Sequence, residues 1–171
     1  MRRYFIRKVL VAGCFVSMFL FSAEGGAAME ITSAAFDHQT MIPKTYTCQG
    51  NDINPPLMIS DIPDGTQSLS LIVDDPDAPM GTWVHWVVYN IPAATQKIQQ
   101  DSVPGLEAGN DFGQSSYGGP CPPSGTHRYF FKVYALDINF PAGSMESKKD
   151  LEAAMAGHIL DKAELIGLYK K

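Results

Sequence analysis

Asp75-Pro76-Asp77 places two carboxylates on either side of a proline, and His85 and His127 each sit at the opening of a hydrophobic run. Side chains two apart on a strand share a face. Leu69, Leu71 and Val73 therefore form one row, with Asp75 and Asp77 in register just beyond its end. By the same rule Trp83 and His85 precede Val87 and Tyr89, and His127 and Tyr129 precede Phe131 and Val133. If these rows meet in one core, carboxylates and imidazoles converge at its rim.

Three chemistries use such a cluster. In an anion pocket, a carboxylate near each imidazole raises its pKa, and the protonated ring donates to a phosphate or carboxylate. The loop Gly118-Gly119-Pro120-Cys121-Pro122-Pro123 would add close backbone approach at its glycines and stiffness at its prolines. A metal site would need two His and a carboxylate, yet neither His-x-x-His nor Glu-x-x-His spacing is present. General acid–base catalysis by an Asp–His pair lacks a nucleophile in a strained turn such as Gly-x-Ser-x-Gly. Plainer readings stand beside these. Asp75 and Asp77 suit an ordinary turn, His85 suits a core histidine bonded to a carbonyl, and His127 suits a strand end. His38 and His158 receive no role.

The elements that must position these groups are mostly strands. Apolar alternation recurs over residues 31–36, 68–74, 83–91 and 127–137, bounded by Pro, Gly, Asn and Asp. The segment 109–125 is long for a structureless loop, and loops of that length are usually functional or disordered. One helix is predicted: Leu151, Met155, Ile159 and Lys162 recur at helical spacing, with Ser147 and Asp150 as a capping box. It is expected to end near Lys162, with 165–169 returning as a short strand.

Residues 1–28 read as a secretory signal peptide. Arg2, Arg3, Arg7 and Lys8 precede a 13-residue apolar run over 9–21, and small residues follow through Ala28. The run falls short of the about 20 apolar residues that span a bilayer, so no stable membrane insertion is expected after cleavage. Val11-Ala12-Gly13-Cys14 resembles a lipidation site, but the apolar stretch continues beyond Cys14. Residues 29–171 then form one domain, carrying 9 Lys and Arg against 17 Asp and Glu. That surface repels a nucleic-acid backbone. Cys48 and Cys121 remain and are expected to pair, since the count is even in an oxidising compartment.

Taken together, Asp75-Pro76-Asp77-Ala78-Pro79, Trp83-Val84-His85-Trp86 and Gly119-Pro120-Cys121-Pro122-Pro123-Ser124-Gly125-Thr126-His127-Arg128-Tyr129 resemble the signature segments of the phosphatidylethanolamine-binding (PEBP) family, in its order and spacing. Ile42-Pro43-Lys44-Thr45-Tyr46-Thr47-Cys48 and Ala156-Gly157-His158-Ile159-Leu160 are similar to the ends of its bacterial and archaeal, Raf-kinase-inhibitor-like branch. Two departures stand out: Ile59 takes the place of that branch's usual Trp, and 125–127 is shorter than in the eukaryotic branch. The resemblance implies an all-β sandwich on a large antiparallel sheet, with an anion-binding pocket at one edge and one C-terminal helix. The pocket residues it implies are Asp75, Asp77, Trp83, His85, Gly119, Cys121, Pro122, Pro123, His127 and Tyr129. It also implies a binder or a protein-contact inhibitor without enzymatic activity, cofactor or metal. The expected partners are a small anionic or phosphorylated ligand, a protein, and a second copy of the chain. The expected location is periplasmic or secreted, where no cytosolic kinase is met. Mass spectrometry of exported protein should find the chain beginning between Gly26 and Met29; retention of Met1, or acyl groups on Cys14, would overturn the export reading.

Overall fold

The structure is a computed structural model that describes Met1 and residues 27–171, so all but Met1, Ala27 and Ala28 of the segment expected to be a signal peptide lies outside the described residues. In chain order the elements are β1 (Glu30–Thr32), β2 (Thr40–Met41), a 3-10 turn (Lys44–Tyr46), β3 (Leu57–Ser60), β4 (Ser68–Asp75), β5 (Trp83–Pro92), β6 (Lys97–Ile98), β7 (Leu106–Ala108), β8 (Thr126–Leu136), α1 (Lys148–Met155) and β9 (Ile159–Lys170). A six-stranded sheet runs β2-β9-β8-β4-β5-β7, and a three-stranded sheet runs β1-β3-β6. Every pairing is antiparallel except that of β2 with β9 at the edge of the large sheet. The fold is the expected all-β sandwich, with one α-helix, near the C-terminus, among the described residues.

Alternation sorts the side chains of β4 to two cores. Leu69, Leu71 and Val73 join Ile31, Leu57 and Ile59 between the sheets, so Ile59 fills the core where the branch's Trp would stand. Ile72 faces the other way and packs with Leu151 and Met155 of α1. All eight residues of β4 are consequently buried, as a central strand covered on both faces must be.

Two β-bulges interrupt β5. One lies between the pairs Leu69–Ile91 and Leu71–Val88, where Asn90 takes a positive φ of 53°. The other lies between Val73–Trp86 and Asp74–Val84, and His85 is the extra residue there. A bulge re-aims side chains, and this one corrects the expected parity of β5. Val87 and Tyr89 pack in the helix-side core, whereas the His85 ring meets Tyr129, which belongs to the core between the sheets.

The C-terminal region also departs from expectation. Ser147 Oγ accepts the Asp150 amide at 3.3 Å, so the helix starts where the capping pattern places it. It stops at Met155 because Gly157 turns the chain at a φ of 84°. The twelve residues Ile159–Lys170 form one long strand against β8 instead of a helical turn and a short return. Within β9, Gly167 lies against Ile42 and Phe36, with no room for a Cβ.

Asp74 follows Val73 and so faces the helix side. Fully buried, it accepts from Lys132 Nζ of β8 at 2.8 Å and from Lys148 Nζ of α1 at 2.7 Å. It thereby fastens the first turn of the helix to the sheet. Removing the charge leaves two ammonium groups facing an amide. Asp74→Asn is expected to cost about 2–3 kcal/mol in urea unfolding, below the ~3–5 kcal/mol of a fully buried pair because both lysines reach solvent; an unchanged midpoint would show the triad to be idle.

Candidate functional site

The site forms where the adjoining ends of β4, β5 and β8 meet the loop 109–125. Asp75, the last residue of β4, is buried and uses both carboxylate oxygens. Oδ1 accepts the Asp77 amide at 2.8 Å, shaping the turn toward β5. Oδ2 lies 2.7 Å from His127 Nδ1 at the start of β8. Turn former and imidazole partner are thus the same group. Tyr129 follows two residues along β8 on the same face, and its hydroxyl is buried close to the Asp75 carboxylate and the Cys121 backbone without a well-aligned hydrogen bond to either. Burial and the nearby Asp75 charge both raise the Tyr129 pKa, keeping the phenol protonated.

His85 is held from three sides. Its Nδ1 lies 2.6 Å from Gly118 O, and its own backbone oxygen accepts Gly118 N at 3.0 Å and Asn110 Nδ2 at 3.2 Å. Edge-on aromatic contacts with Tyr129 (5.1 Å between ring centroids) and Phe112 (5.2 Å) fix the ring plane. The ring is 3% exposed, and this burial lowers its pKa, outweighing the opposing effects of the Gly118 carbonyl and of the Asp75, Asp74 and Asp52 charges. That overturns the expectation that a carboxylate keeps both imidazoles protonated: the group touching His85 is a neutral carbonyl. The Nε2 atoms of His85 and His127 have no hydrogen-bond partner among the described residues.

The rim is built by small residues and cross-links. Gly119 N donates to Asp52 Oδ1 at 2.7 Å, and a Cβ there would strike the backbone of Tyr46 and Thr47. A Cβ at Gly118 would strike the Phe112 ring. Cys121 is disulfide-bonded to Cys48 with a Cα separation of 5.5 Å, as expected, and Cys48 N donates to Pro120 O. Pro122 is buried and Pro123 exposed along the same rim. Trp83 is half-buried and packs edge-on against Phe112 at 5.5 Å. Asn110 shapes the turn that carries Phe112, since its Oδ1 accepts the amides of Phe112 and Gln114.

Asp75, His85, His127 and Tyr129 therefore come together, with Gly119 and Cys121 in their rim. Asp77 does not join them as a histidine partner; Arg128 Nε and Nη2 grip it at 2.9 and 2.7 Å. Among the described residues, no group of three His, Cys, Asp or Glu is arranged to hold a metal ion. Sequence reasoning missed Phe112, Asn110 and Asp52. The unusual length of 109–125 was the available signal for the first two.

A family model described as phosphatidylethanolamine-binding protein matches residues 32–170. The chain belongs to that family. Among its PEBP-family relatives, the UPF0098 protein of Aquifex aeolicus is 50% identical over 173 residues, covering 95% of this chain and 99% of the relative. A UPF0098 protein of Pyrococcus horikoshii is 46% identical over 149 residues, covering 81% of this chain and 75% of its own. Of solved structures, the PEBP homologue CT736 of Chlamydia trachomatis superimposes with a TM-score of 0.82 at 43% identity, covering 84% of this chain and 98% of its own. The E. coli protein YbcL, described as a member of the mammalian PEBP family, gives 0.78 at 31% identity, covering 85% and 99%.

The Arg128 fork holds the Asp77 pKa down to about 2 from an ordinary 3.8. A depressed carboxylate pKa stabilises the fold above the unfolded value, and that contribution disappears as pH falls through the folded one. The stability difference between wild type and Asp77→Asn should therefore be constant at neutral pH and close between about pH 4 and pH 2. Urea titrations across that range check it; a difference that persists at the acid end would mean that the pair does not couple to folding.

Proposed function

We propose that this PEBP-family protein is a ligand-binding protein of the periplasm or cell exterior whose pocket takes a small phosphate-like oxyanion, such as phosphate or free phosphoethanolamine. The observation that carries this reading is the Tyr129 hydroxyl, buried next to Asp75 without a well-aligned hydrogen bond, beside two imidazoles that each offer a free Nε2. Buried polar groups are nearly always satisfied, and a donor left free at this depth suits an acceptor that enters from outside. Gly118 and Gly119 let the rim loop approach Phe112 and the backbone of Tyr46 and Thr47 more closely than a side chain would allow. Binding without turnover is the reading we favour.

The exported location is part of the same proposal. It is supported by the signal-like composition of residues 1–28 and by a disulfide whose Cys48 is exposed, a bond that cytosolic thiols would reduce. A second reading, a protein-interaction module acting through the pocket mouth, is favoured by the exposed apolar side chains of Met80 (96%) and Phe112 (42%) near Trp83.

Two measurements on Tyr129→Phe test the first reading. Deleting an unsatisfied buried hydroxyl should leave the unliganded protein as stable as wild type or about 1 kcal/mol more stable. Phosphate or phosphoethanolamine should raise the melting temperature of wild type by mass action and raise that of the variant much less, with neither compound consumed. If wild type gives no shift with either compound, the pocket is not an oxyanion site.

A further inference from the structure

The two imidazoles of the site are not equivalent. A carbonyl oxygen can only accept, so the 2.6 Å contact between His85 Nδ1 and Gly118 O requires the proton to be on Nδ1. The ring is buried and wedged edge-on between Phe112 and Tyr129, which opposes a flip that would exchange its nitrogens. A neutral imidazole protonated at Nδ1 presents a lone pair at Nε2. His85 therefore brings an acceptor to the pocket. Tyr129 brings a hydroxyl donor, and His127, backed by Asp75 at Nδ1, brings a second donor when its ring is protonated.

A fully deprotonated oxyanion has nothing to give the lone pair of His85. It would bury two acceptors against each other, which costs the desolvation of both. The charges around the ring point the same way. Asp74 and Asp75 from β4 and Asp52 from the loop before β3 all act on His85. Asp74 is balanced by Lys132 and Lys148, and the nearest guanidinium, Arg128, is already engaged by Asp77. No uncommitted lysine or arginine among these groups faces the ring, so a doubly charged ligand finds little to offset its second charge.

We propose that the pocket, on the oxyanion reading given above, selects oxyanions that carry a proton of their own: dihydrogen phosphate and phosphate monoesters as monoanions, in preference to phosphodiesters, dianions and sulfate. The P–O–H group donates to His85 Nε2 while the remaining oxygens accept from Tyr129 and His127. A site built to bond a hydroxyl rejects analogues that lack it far more strongly than shape alone allows.

Isothermal titration of the folded, disulfide-bonded protein with methyl phosphate, dimethyl phosphate and sulfate tests this at about pH 5.5 and about pH 7.5, on either side of the monoester's second ionisation near 6. Dimethyl phosphate carries one charge at both pH values but no proton, so it separates charge from hydrogen bonding and records any change in the protein's own groups. Sulfate matches phosphate in size without the proton. Methyl phosphate should bind at least about tenfold more tightly than either at the lower pH, and its advantage over dimethyl phosphate should shrink by about tenfold at the higher. Tyr129→Phe should weaken methyl phosphate, which ties the measured binding to this pocket. In protein labelled with nitrogen-15 at histidine, His85 Nε2 should show the shift of an unprotonated ring nitrogen that moves when methyl phosphate binds. Sulfate or dimethyl phosphate binding within about threefold of methyl phosphate at the lower pH would overturn the selectivity and leave the oxyanion reading intact. Absence of binding by all three would overturn both.

Discussion

The carboxylate of Asp75 is the constraint on which the rest of the site depends. One oxygen closes the turn that delivers β5, and the other orients His127 at the head of β8. Strand ends 52 residues apart in sequence are brought to a common point by a single buried carboxylate that accepts from one amide and one imidazole. A buried carboxylate with fewer partners would be costly to keep ionised. With these partners it specifies both the path of the backbone and the orientation of a ring. The adjacent residue repeats the device on the opposite face, where Asp74 gathers Lys132 and Lys148 and fixes α1. Successive residues of one strand thus organise the two sides of the molecule, a direct outcome of strand periodicity.

His85 shows how a local irregularity becomes functional. In a regular ladder it would share a face with Val87 and lie among the helix-side apolar residues. The bulge turns it through to the face of Tyr129, and the Gly118 carbonyl then decides which nitrogen keeps the proton. Backbone geometry, more than any charged neighbour, sets the hydrogen-bonding character of this ring. The absence of side chains at Gly118 and Gly119 is equally part of the arrangement, because the loop could not approach so closely with a Cβ at either position.

Much of the fold was legible in the sequence. The patterns over 68–74, 83–91 and 127–137 match β4, β5 and β8 to within two residues at each end, because long alternating runs carry their own signal. The strands β2, β6 and β7, of two or three residues, carry no such signal and exist because a partner strand is in place. The helix was overextended because Leu151, Met155 and Ile159 fit a helical period, while the turn at Gly157 depends on a positive φ that spacing cannot register. At the site, parity found Asp75, His127 and Tyr129. It chose His85 correctly for a wrong reason, since it assumed an unbroken ladder. Asp77 was read together with Asp75 as a carboxylate for the imidazoles because its distance from Arg128 is a matter of register between β8 and the β4–β5 turn. Phe112 and Asn110 escaped notice because a loop's hydrogen bonds leave no periodic trace.

The rim loop is anchored near both ends. Asn110 pins it to the backbone of β5 on one side, and the bond from Cys121 to Cys48 ties it covalently to a distant segment on the other. A flexible loop would close around ligands of several sizes, losing conformational freedom each time it did so. This one is ordered before any ligand arrives, so little entropy is left to lose at the moment of binding. The opening is correspondingly fixed. In the binding proposed above, discrimination by size would then depend on the cross-link, and a reduced chain would be expected to accept a broader and more weakly held set of molecules than the oxidised one.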